Sequence, residues 1–290
     1  MAVKVRPSDE IVQENIKKWN IPQPDKEYTV LIHCTTYNHG QYIEDALKGF
    51  VMQKTNFPFC AIIIDDCSTD NNAEIIKSYA EKYPDIIKPI LLGENHMQHG
   101  LLRDPYFEKW HQSAKYIAEC EGDDYWIDPL KLQKQVDFLE SHSDYLLACN
   151  STYSFSVRKN KIVHKDFKIS EDIDLLIDEV IMKGGLFIAT CSFVYRKGAR
   201  ENYPEYCKEC HAGDYPFQIW CALHGKIRCF HDIMSVYRVD NPNSWVGSSI
   251  EKRLSTNRMN GILSEVRMLQ GYRNDFPNYY DNFSKRIIYL

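Results

Sequence analysis

Cys60-Ala61-Ile62-Ile63-Ile64, followed at once by Asp65-Asp66, constrains the fold more than any other stretch of the chain. Five successive apolar residues leave a strand without a polar face, so it must be covered on both sides, the condition of a parallel strand in an α/β sheet. Tyr28–Cys34, 86–92 and 116–120 are similar short runs. Between them the apolar residues change to helical spacing: Ile43, Ala46, Leu47, Phe50 and Val51, then Ala73, Ile76, Tyr79, Ala80 and Tyr83. The alternation predicts a doubly wound sheet, in which ligands bind beyond the carboxyl ends of the strands at the switch in strand order. Three polar loops then share one edge: residues 35–38, 65–70 and 121–126.

The last of these loops is dense in carboxylates. Glu121-Gly122-Asp123-Asp124-Tyr125-Trp126 follows an apolar run and precedes Asp128-Pro129, an N-cap and first-turn proline for a helix to about Ser141. Crowded carboxylates repel and lose hydration, a cost that a bound cation offsets. Asp123, with Glu121 or Asp124, offers the hard oxygen ligands that Mg²⁺ or Mn²⁺ prefers. Asp65 or Asp66 is placed to accept a hydrogen bond from a base imide N–H, and also to cap the following helix.

In the second half, residues 145–157 read as one or two strands, 170–183 as a helix and 186–195 as a strand after Gly184-Gly185. A helix over 211–224, short strands over 227–230 and 233–237 and a long helix over 249–270 complete the expectation. Residues 93–100 read as a loop and 105–115 as a helix.

The net charge of -5 argues against a nucleic-acid surface, which needs a basic stripe. No run approaches the roughly 18 apolar residues of a membrane span, and no signal peptide is evident. The ten cysteines, several inside apolar runs, therefore read as thiols in a reducing cytoplasm. Cys207-Lys208-Glu209-Cys210-His211 has the form of a haem-attachment or half-zinc pattern, but no second Cys-x-x-Cys accompanies it, and ordinary thiols are expected.

VLIHCTTYNHGQYIEDALKGFVMQ (30–53), IIIDDCSTD (62–70) and AECEGDDYWIDPLKLQKQ (118–135) together resemble an inverting family 2 glycosyltransferase with the GT-A fold. TCSFVYRKGA (190–199), GDYPFQIW (213–220) and YRVDNPNSW (237–245) continue the resemblance in order. It implies an α/β, Rossmann-like mixed sheet flanked by helices over 28–245, after an N-terminal extension (1–27) and before a C-terminal helical segment (246–290). It also implies a nucleotide-sugar donor, a UDP-sugar above all, an Mn²⁺ or Mg²⁺ cofactor, and a saccharide or lipid-linked saccharide acceptor in surface polysaccharide assembly. That work would place the enzyme in the cytoplasm, at the inner membrane face.

By the same resemblance Thr35, Tyr37 and Asn38 contact the nucleoside, Asp65 or Asp66 the base, and Asn95 joins the donor site. Asp123 holds metal with Asp124 as a further ligand, Glu121 lies near ribose or metal, Arg238 neutralises the diphosphate and Asp214 is the catalytic base. Three residues depart from the family pattern: Glu121 for its first Asp, Gly213 where Glu is common, and Asp240 where His is frequent. The rival readings are a non-catalytic nucleotide or glycan-binding module, and a sugar nucleotidyltransferase, for which residues 33–40 lack a glycine-rich basic loop. The C-terminal aromatic and aliphatic residues from Tyr279 to Leu290 are expected to pack on their own domain, with a membrane surface or a second copy as alternatives.

Overall fold

A computed structural model of the protein describes residues 5–241 and 256–290. The end of the last motif (242–245) and the start of the expected long helix (249–255) lie outside the described residues.

The strands are β1 (Tyr28–Thr36), β2 (Phe59–Asp65), β3 (Ile87–Leu91), β4 (Ala114–Glu119), β5 (Tyr125–Trp126), β6 (Tyr145–Ser156), β7 (Lys161–Lys165), β8 (Ile173–Asp174), β9 (Val194–Arg196) and β10 (Lys226–Val239). They form one mixed sheet in the order β3-β2-β1-β4-β9-β6-β10-β5, with β7 beside β6 and β8 beside β10. The first four pair in parallel, whereas β9 runs antiparallel to both β4 and β6. The helices are α1 (Asp9–Lys18), α2 (Ile43–Val51), α3 (Asn72–Lys82), α4 (His96–His99), α5 (Glu108–Gln112), α6 (Lys131–Ser141), α7 (Ile177–Lys183), α8 (Glu205–Lys208), α9 (Asp214–His224), α10 (Thr256–Asp275) and α11 (Tyr280–Ile288).

β2 behaves as its sequence requires. Cys60, Ile62 and Ile64 enter one core, Ala61 and Ile63 the other, and all five are fully buried. Each large aliphatic side chain so removed from water contributes roughly 1.5–3 kcal/mol. The core on the Leu31 face also takes Val12 and Ile21 from the N-terminal segment, and Met268, Leu269, Tyr272 and Phe283 from α10 and α11. Phe283 is thus an internal residue, while Ile288 and Tyr289 at the end of α11 face outward.

Several expectations fail locally. Residues 170–183 are not one helix: Ile173 and Asp174 pair with the edge of β10, and only Ile177–Lys183 is helical. The run 186–195 is mostly two tight 3-10 turns, with a strand only at Val194–Arg196. Gln218 donates to the carbonyls of Gly185 and Ile188, satisfying backbone groups that a longer strand would have paired. The two strands expected near the C-terminal half merge into β10, which absorbs the break at 231–232 as register irregularities against β6. Residues 93–100 contain α4, and the 105–115 helix reduces to a turn and α5 because β4 begins at Ala114.

Candidate active site

The loops after β1 and β2 are stitched together by polar side chains. Asn38 takes a left-handed backbone (φ 53°), which Asn tolerates better than most residues. Its Oδ1 accepts the Thr69 N–H at 2.8 Å, and its own N–H donates to Ser68 Oγ at 2.9 Å. Asp65 is buried, accepting from Ser68 and, at 2.9 Å, from Asn72 Nδ2; burial pushes its carboxyl up and those donors oppose the shift. Asp66 accepts the His96 and Met97 N–H groups at 2.8 and 3.1 Å, so it caps α4. Asn95 holds the same turn, donating to Asp66 O and accepting from Gln98 N. Tyr37 OH accepts from Gln98 Nε2 at 3.2 Å. The carboxylates expected to read a base are thus already engaged by protein donors.

The acidic loop is laid onto the end of β1. Cys120 N–H donates to His33 O, and Gly122 N–H to Thr35 O at 2.9 Å. Gly122 is required by this approach, because a methyl group there would stand 2.5 Å from Thr36 Oγ1. β5 then pairs antiparallel with β10, Val236 opposite Tyr125, which carries Arg238 to the loop. Asp124 is buried, with its Oδ1 accepting the Arg238 N–H at 2.8 Å. Burial, then the charge of Asp123, holds its carboxyl well above the usual range.

Arg238 is also turned inward. Its guanidinium donates to Asp123 O at 2.7 Å and to Asp45, and lies between the rings of Tyr42 and Tyr125, 4.9 and 4.5 Å from their centroids. Asp123 accepts from Asn241 Nδ2 at 3.1 Å, and its Oδ2 is 3.9 Å from His39 Nε2. Asp45, His39 and Asn241 escaped the sequence reading. Only the register of β5 on β10 and the turn before α2 bring them here. Arg103, in the segment after α4, also escaped the sequence reading; it is partly exposed, 3.9 Å from Asp66, and its charge reaches Glu121.

Asp214 opens α9 and lines a cleft with Asp166, Gly185, Thr190 and Tyr237. Desolvation raises its carboxyl above the ordinary value, opposed by the backbone N–H groups of the helix start, with Glu265 adding to the rise. Glu121 keeps an exposed surface on the loop after β4. Its carboxyl is pushed up by crowding protein first, then by Asp123, Asp214 and Glu119. Asp123, Glu121 and Asp214 therefore share one acidic field, whereas Asp240 turns away to accept from Ser156 Oγ.

Among the described residues no three His, Cys, Asp or Glu side chains form a ready-made metal cage. The donor chemistry nonetheless fits Mg²⁺ or Mn²⁺, which commonly take one or two carboxylates and complete their shell with phosphate and water. Asp123 and Glu121 are the carboxylates available. Cys207 and Cys210 are free thiols, as are the other eight cysteines. No described helix is long and apolar enough to cross a membrane.

Comparison with known proteins adds three likenesses. An uncharacterised protein of Mycobacterium tuberculosis is 32% identical over 225 residues, covering 75% of this chain; the chain spans 61% of that relative's length. The Staphylococcus aureus TarS 1-349 structure in complex with UDP-GlcNAc superposes with a TM-score of 0.60 at 18% identity, over 85% of this chain and 67% of that one. The Pyrobaculum calidifontis mannosyltransferase PcManGT, in complex with GDP-Man and Mn²⁺, superposes with a TM-score of 0.57 at 13% identity, over 96% and 75%. Both show the same fold: a mixed sheet flanked by helices, of the GT-A kind. Residues 32–203 match Glycosyl transferase family 2, and the chain belongs to that family.

Proposed function

We propose that the protein transfers one sugar, with inversion, from a UDP-sugar to a saccharide or lipid-linked saccharide acceptor in surface polysaccharide assembly. The observation that carries this reading is that Asp123 and Glu121, on the loop after β4 at the switch point of the sheet, share an acidic field with Asp214, which lines a cleft at the start of α9. Thr35, Tyr37, Asn38 and Asn95 form the nucleoside side, with the Asp65 and Asp66 turns holding its shape. TarS and PcManGT were crystallised with different nucleotide donors, so the fold leaves the base open, and the UDP preference rests on the sequence motifs.

Asp123 and Glu121 would hold Mg²⁺ or Mn²⁺, which when bound stabilises a departing diphosphate as a Lewis acid. Asp124 is assigned to holding the strand of Arg238, and Arg238 to bracing the loop through Asp123 O and Asp45. Arg103, partly exposed and with its charge reaching Glu121, is assigned to the diphosphate. Asp214 accepts the proton of the acceptor hydroxyl as its oxygen attacks the anomeric carbon, and the raised affinity of its buried carboxylate for a proton suits it as a base near neutral pH. The C–O bond to the diphosphate breaks on the opposite face.

The test is nucleotide release from a panel of UDP-, GDP- and dTDP-sugars with Mn²⁺ and glycan acceptors, with Asp214→Asn alongside. Retained donor binding with turnover reduced about 10²–10⁴-fold supports the base. Unchanged turnover of Asp214→Asn sinks it, and no release from any donor in wild type favours a binding module.

A further inference from the structure

The family match ends at residue 203, yet α10 and α11, much further along the chain, reach the cleft of Asp214. We infer that Arg286, on α11, is a positioning residue for transfer: it props the Gly184–Gly185 wall and the start of α9, so that Asp214 faces the acceptor. This rests on Asp214 being the base.

Three contacts meet at this one side chain. Its Nη2 donates to Glu265 Oε1 on α10 at 3.0 Å, and both partners are largely buried. Its guanidinium lies 5.7 Å from the centroid of Tyr215, the residue after Asp214. It also fills the space beside Gly184: a methyl group there would stand 2.5 Å from Arg286 Nη2, and the φ of +76° favours glycine in any case. Gly185 in turn approaches the Asp214 carboxylate, 3.6 and 3.8 Å from where its Cβ would be, and Tyr215 OH donates back to Ile181 O on α7. Arg286 thus touches the loop in front of the base, the residue behind it, and the carboxylate of Glu265 whose charge bears on it.

The titratable groups around Asp214 are Glu265 from α10, Cys210 and Tyr215 from its own segment, and Glu121 from the loop after β4, which feels the Asp214 charge. Asp166 and Tyr237 line the same cleft, and Arg286 is the cation beside Glu265. With Arg286 neutral, Glu265 stands unopposed and Asp214 gives up its proton only at higher pH.

The experiment compares wild type, Arg286→Gln, Arg286→Lys and Arg286→Gln/Glu265→Gln, using Mn²⁺–UDP binding and UDP release from the active donor across pH, with melting temperatures. For Arg286→Gln, UDP binding should stay within about twofold while kcat falls about tenfold, the scale of a misplaced catalytic group. The acid limb of kcat/KM should move to higher pH; Lys should recover most of kcat, and the double variant should return the limb. A fall in activity that only follows the folded fraction, with the limb unmoved in Arg286→Gln, overturns the inference while loss of turnover in Asp214→Asn leaves the base standing. Retained turnover in Asp214→Asn overturns both.

Discussion

Gly122→Ala probes whether the acidic loop is seated on β1 as described. The added methyl would lie 2.5 Å from Thr36 Oγ1, 2.6 Å from Thr36 Cβ and 3.0 Å from Ile43 Cδ1. Non-bonded carbons settle at about 3.5–4.0 Å, so something must retreat by about 1 Å. Thr36 is poorly able to yield: it is buried, paired opposite Asp65 in the sheet, and its Oγ1 is 3.2 Å from Asn72 Oδ1. Ile43 is fully buried. The loop therefore moves, stretching the Gly122 N–H bond to Thr35 O and carrying Asp123 with it. Overpacking of this kind costs about 1–3 kcal/mol in urea unfolding. A displacement near 1 Å at the site lowers turnover by up to about 100-fold. Adding Thr36→Gly removes both clashing Thr36 atoms and should recover part of that turnover. A Gly122→Ala protein as stable and as active as wild type would show that the loop is not seated against Thr36.

Lys131 is fully buried on α6, donating to Gln135 Oε1 at 2.6 Å and Ser192 O at 3.2 Å, with Trp126 4.5 Å away. Burial pulls its pKa down from 10.5 to about 7, so between those values the unfolded chain binds more protons and its contribution to stability rises with pH. The urea-unfolding advantage of Lys131→Met over wild type should be greatest at or below pH 7 and shrink towards pH 9, by at most about 1.4 kcal/mol per unit; a difference independent of pH contradicts this. Asp124→Ala leaves the Arg238 N–H without its acceptor and should lose about 1–3 kcal/mol in urea unfolding. The same variant should keep its Mn²⁺ activation constant within about threefold, since a tenfold change would correspond to about 1.4 kcal/mol of lost ligation.

The first half of the fold was legible because its signals are local. The Cys60–Ile64 run can only be a doubly covered strand; α6, by contrast, starts at Lys131 with Leu130 as its N-cap, and Asp128, the expected cap, instead accepts the Leu130 N–H at 2.8 Å in the turn before it. The stretch from 170 to 195 was not, because its conformation is decided by distant partners: Asp174 pairs with Arg228 of β10, and Gln218 satisfies the Gly185 and Ile188 carbonyls. The acidic loop was found from charge density alone. What each carboxylate faces depends on β5 pairing with β10, which turns Asp124 and Arg238 inward and brings Asn241 to Asp123, and on the turn before α2, which brings His39. Asp66 illustrates the same ambiguity: expected either to read a base or to cap the helix that follows, it leaves α3 with Asn71 as N-cap and instead accepts the His96 and Met97 N–H groups at the start of α4.

Asp123 is proposed as the metal and diphosphate corner of a sugar-transfer site. Its most direct test is the equilibrium binding of UDP-sugars to wild type and Asp123→Ala, with Mn²⁺ and after chelation. Wild type should bind with Mn²⁺, and binding should weaken at least about tenfold, roughly 1.4 kcal/mol, on either chelation or substitution. Equal affinity in all four conditions would contradict it.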